Sequence, residues 1–159
     1  MAEQVIKFSK EDLEKIIQNS QSSPRGRAPN PLSSDEYSGP QCLINAIQPS
    51  SYVVPHRHEH EEIWLPIQGR VVIGLFNEEG EPTEKIELAH DKTLYFVAPG
   101  DIYHSVFAIE PNSVFFNISQ GPFNPNAPKD FASWAPREHG EISLVVEYFA
   151  NMRKKVLRL

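Results

Sequence analysis

The stretch Pro55-His56-Arg57-His58-Glu59-His60-Glu61-Glu62-Ile63-Trp64-Leu65-Pro66-Ile67-Gln68-Gly69 governs the reading of the whole chain. Three imidazoles and three carboxylates fall within seven residues, after which the sequence turns apolar. Neutral imidazole and carboxylate together suit a divalent first-row metal. His56 and His58 project from one face of a strand, about 6 to 7 Å apart along the backbone. Glu62 cannot join them along an unbroken strand, because at about 3.3 Å per residue it stands some 20 Å from His56. The spacing therefore predicts a turn at residues 59–61, after which Glu62 opens a strand antiparallel to the first and aims at the same ion. In that strand Ile63, Leu65 and Ile67 share one face and Glu62, Trp64 and Pro66 the other, before Gly69 allows a bend.

A further ligand is expected from elsewhere in the chain. His104 is the best candidate, because it follows the turn signal Ala98-Pro99-Gly100 and opens the apolar run Val106, Phe107, Ala108 and Ile109. His60 reads as solvent-facing, Glu59 and Glu61 as solvated charges on an acidic rim, and His90, before Asp91-Lys92, as a surface turn residue. The spacing His-x-His-x3-Glu-x6-Gly from His56 to Gly69, followed by Pro99-Gly100 and His104, resembles the two-motif signature of the cupins. These are small β-barrels that hold one metal. The resemblance implies His56, His58, Glu62 and His104 as ligands to one divalent transition metal, zinc, iron, manganese or nickel.

Composition sets the wider frame. A chain of 159 residues with 40% hydrophobic content can bury one core. A net charge of −6 speaks against nucleic acid or an anionic membrane as partner and leaves a small-molecule substrate. Cys42 is the single cysteine, so an internal disulfide is excluded and a reducing cytoplasm is expected, with Cys42 a core residue. Charges at Glu3, Lys7, Lys10, Glu11, Asp12, Glu14 and Lys15 interrupt any secretory signal, and no apolar run approaches a membrane span.

Along the chain, Ser9 as N-cap with Asp12, then Leu13, Ile16 and Ile17, predicts an amphipathic helix over 9–19 on the outside of the barrel. Residues 21–40 read as a loop carrying Arg25 and Arg27, long enough to serve a site. Short strand-like runs follow at 41–47, 51–55, 62–67, 70–77, 85–88, 93–97, 103–109 and 113–119, with a turn at 78–81. About eight short strands predict an all-β domain, a cupin-type antiparallel β-barrel or jelly roll. Residues 120–138 are proline-rich yet studded with aromatics, and predict an ordered strap across the barrel. A closing helix over 141–158 follows from Ile142, Val145, Val146, Phe149, Met152 and Val156, with Arg153, Lys154, Lys155 and Arg158 complementing its dipole. It packs on the barrel or on a second subunit.

Ser23-Pro24-Arg25-Gly26-Arg27, Asn45-Ala46, Tyr52-Val53-Val54-Pro55-His56-Arg57-His58, Gln120-Gly121-Pro122-Phe123 and Lys129-Asp130-Phe131-Ala132-Ser133-Trp134-Ala135-Pro136 narrow the resemblance. Together they are similar to the cupin-fold metalloproteins of the WbuC type, bacterial proteins often encoded beside surface-polysaccharide genes. The likeness runs from about residue 10 to about 140. His104 stands one position farther from Gly100 than the family's usual spacing, and the closing helix lies outside the shared pattern. The resemblance implies a homodimer and a metal-dependent enzyme, an isomerase, epimerase or dioxygenase acting on a sugar-like or carboxylate substrate. A non-catalytic binding module is the alternative. Arg25, Arg27 and Arg57 are candidate anion-binding residues. Tyr52 and Tyr103, flanking the ligands in sequence, are candidate proton donors, with packing as their other reading.

Overall fold

The structure, a computed structural model, describes residues 6–32, 39–120 and 130–159. Two five-stranded antiparallel sheets face each other in a jelly-roll barrel, and one helix covers the outside of each. The strands are β1 (Arg27–Pro31), β2 (Gln41–Ile47), β3 (His56–Arg57), β4 (Glu62–Gln68), β5 (Val71–Phe76), β6 (Pro82–Leu88), β7 (Phe96–Ala98), β8 (Tyr103–Ala108), β9 (Ser113–Ser119) and β10 (Asp130–Phe131), with α1 (Lys10–Ser22) at the start and α2 (Ile142–Leu157) at the end. The first sheet has the order β1-β2-β9-β4-β7 and the second β10-β3-β8-β5-β6.

Period-two alternation builds the interior. Val71, Ile73 and Leu75 of β5, Val106 and Ala108 of β8, Ile47 of β2, Trp64 of β4 and Phe115 of β9 meet in one buried cluster between the sheets. Their neighbours of opposite parity face outward under the helices. Val72, Phe76, Tyr103 and Phe107 pack with Met152 and Val156 of α2, while Ile44, Ala46 and Val114 pack with Ile16 of α1. Ser9 caps α1 through a reciprocal pair with Asp12, its hydroxyl accepting from the Asp12 amide at 3.2 Å and its own amide donating to the carboxylate at 2.8 Å. At Gly69 the chain turns with φ of +68°, and a Cβ there would lie 2.6 Å from the Ser113 hydroxyl, so only glycine passes.

Several boundaries differ from the sequence reading. The helix expected to end at 19 runs on to Ser22, and the expected loop 21–40 contains β1, whose Pro29 and Pro31 are tolerated because the strand lies at a sheet edge. Residues 51–55 form no strand; the ladder begins at His56. Glu62 does not pair with the strand of His56: β3 and β4 belong to opposite sheets. Of the strap 120–138, residues 121–129 lie outside the described residues; from Asp130 onward Phe131, Ala132, Trp134 and Ala135 pack in the outer cluster. No described helix is long and apolar enough to cross a membrane.

Candidate metal centre

Two paired strands and the segment after one of them deliver the imidazoles. His56 and His104 are direct partners across β3 and β8, so their side chains rise side by side from one face of the second sheet. His58 follows where the chain leaves β3. The ring centroids lie 4.9 Å apart for His56 and His58, 4.7 Å for His56 and His104, and 5.6 Å for His58 and His104. One nitrogen from each of the three rings falls within 4.8 Å of the others. Two ligands on opposite sides of an ion that bonds at about 2 Å stand about 4 Å apart, so small side-chain rotations suffice for a shared ion.

The fourth group comes from the facing wall. The bend at residues 59–60 carries the chain across the barrel, and Glu62 opens β4 in the first sheet, 3.1 Å from His104 Nε2 through Oε2 and 3.5 Å from His58 Nε2 through Oε1. Glu62 is 5% exposed, His104 2% and His56 7%. Burying a carboxylate this deeply forfeits several kcal/mol of hydration unless a cation or proton offsets it.

Two hydrogen bonds settle which ring nitrogens face the cluster. His56 Nδ1 lies 2.8 Å from the Val54 carbonyl oxygen and His104 Nδ1 lies 3.0 Å from that of Ile102. A carbonyl can only accept, so both Nδ1 atoms carry a proton and each ring turns its Nε2 toward the cluster, the arrangement of an imidazole oriented for a metal. The buried His104 Nε2 makes no hydrogen bond among the described residues although Glu62 is near. A cation placed between that nitrogen and the carboxylate would be held by both. The donor set therefore fits a divalent transition metal.

The cluster opens into a cavity of about 760 Å³, lined among others by Gln41, Asn45, Asn117, Phe131 and Glu138. Arg25 and Arg27 also line it, and both donate to Glu138. Arg25 binds it through two nitrogens at 2.9 Å each and Arg27 through one at 2.8 Å, while a second Arg27 nitrogen donates to the Tyr52 carbonyl oxygen at 2.9 Å. Arg57 reaches the cavity edge, but its guanidinium lies 4.5 Å over the Tyr103 ring and pairs with Asp130 and Glu78. His60, Glu59 and Glu61 are exposed, as expected of the turn. His90 is exposed too, with Nε2 3.0 Å from the Ile67 carbonyl oxygen.

The two tyrosines are not brought to the cluster. The parity that turns His104 inward turns Tyr103 outward, where it meets Trp134 edge-on at 5.8 Å. Tyr52 sits among Tyr148 and Phe149, and its hydroxyl donates to the Pro136 carbonyl at 2.9 Å. Burial first, and then the neighbouring Tyr148 and Glu138, push the Tyr52 hydroxyl well above its ordinary pKa. In place of the expected proton donors, these two residues fill the outer cluster. The sequence reading passed over Asn117 and Glu138. Asn117 was detectable as a polar residue of inward parity within the otherwise apolar run from Val114 to Ile118. Glu138 carried no local signal.

Among solved structures, protein SO0799 from Shewanella oneidensis is 14% identical, with a TM-score of 0.62 over 89% of this chain and 95% of that one. KdgF from Halomonas sp. is 22% identical, with a TM-score of 0.50 over 65% of this chain and 85% of that one. The salicylate 1,2-dioxygenase from Pseudoaminobacter salicylatoxidans is 15% identical, with a TM-score of 0.55 over 72% of this chain and 33% of that one. These likenesses support the cupin-type fold. No curated protein matches the chain. A family model matches residues 8–88, just over half of the 159 residues, and the chain belongs to that family, described as a domain of unknown function, DUF6016.

Proposed function

We propose that this chain is a mononuclear metal-binding cupin whose ion is held by His56, His58, Glu62 and His104, and that it acts on a small oxygen-rich substrate, sugar-like or carboxylate. One observation carries the reading: ligand nitrogens of three imidazoles, two from paired strands of one sheet and one from the segment after β3, converge within 4.8 Å, and a buried carboxylate from the facing sheet stands 3.1 Å from one of them. Three neutral imidazoles and one carboxylate leave a divalent ion a net charge of about +1, and the ion, when bound, supplies Lewis acidity. The chain's own residues do the rest. Val54 and Ile102 carbonyls orient two rings, Trp64 and Phe115 wall the inner end, and the cavity above admits a small molecule. The likeness to WbuC-type proteins supports a place in surface-polysaccharide or carbohydrate metabolism, the single cysteine supports the cytoplasm, and barrels of this kind commonly pair as homodimers.

A second reading, a metal-dependent binding module without turnover, is favoured by the two tyrosines lying on the outer face of the barrel. The fold does not choose between them, since such barrels host unrelated chemistries. A dioxygenase is a further form of the enzyme reading, and would consume oxygen when loaded with iron.

Elemental analysis of the purified protein beside His58→Ala tests the site. Close to one transition metal per chain is expected in the parent, with a large loss in the variant. Equal metal content in both would remove His58 from the site.

A further inference from the structure

Two buried N–H groups beside the histidine cluster have no acceptor among the described residues. Trp64 Nε1 and Asn117 Nδ2 have no hydrogen-bond partner among the described residues, on side chains 5% and 6% exposed. The two residues are direct partners across β4 and β9, so their side chains share the inner face of the first sheet. Glu62 lies on the same face of β4, one step along from Trp64. The Trp64 ring stands edge-on to His104 at 6.1 Å and stacks on Phe115 at 5.0 Å. Both residues line the cavity.

Buried donors are ordinarily satisfied, and one left without an acceptor is costly. Two such donors on adjacent strands, beside the His cluster, mark a place where an acceptor arrives from outside. The indole N–H can only donate, so the incoming atom must be an acceptor. Its charge follows from the surroundings. The cluster carries net positive charge when loaded, and hydrogen bonds to an ionised acceptor in a low-dielectric site are roughly twice as strong as neutral ones. The cationic groups at the mouth do not compete for this role, because Arg25 and Arg27 are bound to Glu138.

We infer that Trp64 and Asn117 form an oxyanion subsite for a metal-chelating carboxylic acid, the two N–H groups receiving the carboxylate while a neighbouring oxygen faces the His56, His58, Glu62 and His104 cluster. This rests on the metal-site reading and narrows its substrate class from sugar-like or carboxylate molecules to small hydroxy or oxo acids.

The test compares the manganese-loaded parent with Trp64→Phe, Asn117→Ala and Asn117→Asp. Metal content is measured first for each, followed by calorimetric titration with glycolate and with ethylene glycol, which lacks the carboxylate. The parent should prefer glycolate. Its affinity for glycolate should fall about tenfold or more in Trp64→Phe and Asn117→Ala, and further in Asn117→Asp, with metal content unchanged. Asn117→Asp keeps the shape of the side chain, so it decides the matter if a smaller or altered residue fails to fold. A metal-loaded parent without preference for glycolate, or glycolate affinity unmoved by the substitutions, overturns this inference and leaves the metal site standing. A parent that takes up no metal overturns both.

Discussion

A Cβ at position 100 would stand 2.5 Å from the Glu59 carbonyl oxygen and 3.1 Å from its carbon. The obstacle is backbone and cannot rotate aside, and the next residue ties the same turn down, the Asp101 amide donating to the His58 carbonyl oxygen at 2.7 Å. Gly100 thus lets one turn press against the chain that links His58 to Glu62. Gly100→Ala should push that link away and loosen the ligand set, lowering metal affinity about tenfold, in the range seen when groups supporting a ligand are removed. Chelator competition against the parent measures this, and an affinity within twofold of the parent would show that the turn does not set the ligands. Much of the cluster was legible at this scale. The spacing of His56, His58 and Glu62 required the chain to bend between them, and it bends at residues 59–60, but there it crosses to the facing sheet and does not return beside β3. The parity of Tyr103 was legible too, since a residue adjacent to an inward His104 must face outward. The pairing of Arg25 and Arg27 with Glu138 was not, because it joins residues more than a hundred positions apart with no local pattern to announce it.

Among the elements, α2 shows what patterning predicts and what it leaves open. Its apolar positions foretold a helix packed on something, and Met152 and Val156 are buried against Phe76 and Phe107 of the second sheet. Arg153 adds to the attachment, its guanidinium lying 5.2 Å over Phe107 and donating to the Pro49 carbonyl oxygen at 2.9 Å. Val156 is fully buried and sits over Gly74, where a Cβ would meet it at 2.9 Å. Val156→Ala removes buried methyl groups and leaves a space that the sheet cannot fill, a loss of about 1 to 3 kcal/mol. Urea unfolding should show that loss with metal content unchanged, since α2 packs on the outer face and the ligands stand on the inner one. A variant as stable as the parent would mean that the helix adds little to the barrel. Strand edges were less legible than this helix. Proline in 29 and 31 argued against a strand, yet β1 is an edge strand, where a missing amide is tolerated. The apolar run 51–55 argued for one, yet the carbonyls of Tyr52, Val53 and Val54 take side-chain groups in place of a strand ladder, as when the Ser105 hydroxyl donates to the Val53 carbonyl oxygen at 2.7 Å.

Across the whole molecule, Glu138 ties the segment after β10 to both arginines at the start of the barrel, so the mouth of the cavity is closed on one side by charge pairing. Burial works to raise the Glu138 carboxyl, but the bonds from Arg25 and Arg27 outweigh it and hold the group below its ordinary value of 4.5. A carboxyl whose pKa is lower in the folded state binds fewer protons there than when unfolded. Its contribution is therefore fully present above pH 4.5 and fades as the pH falls through the lower folded value. The side chains of Arg27 and Glu138 are 17% and 19% exposed, sheltered enough for the pair to exceed an open surface bridge, and Glu138→Gln should cost about 1 to 3 kcal/mol at pH 7. The difference between parent and variant, measured by urea unfolding, should shrink steadily as the pH falls below 4.5 toward the lower folded value. Any acid effect on the metal ligands is common to both proteins and cancels in the comparison. A difference that stayed constant from pH 7 to pH 3 would show that the carboxylate charge does not hold the mouth, and that shape alone joins the strap to the barrel.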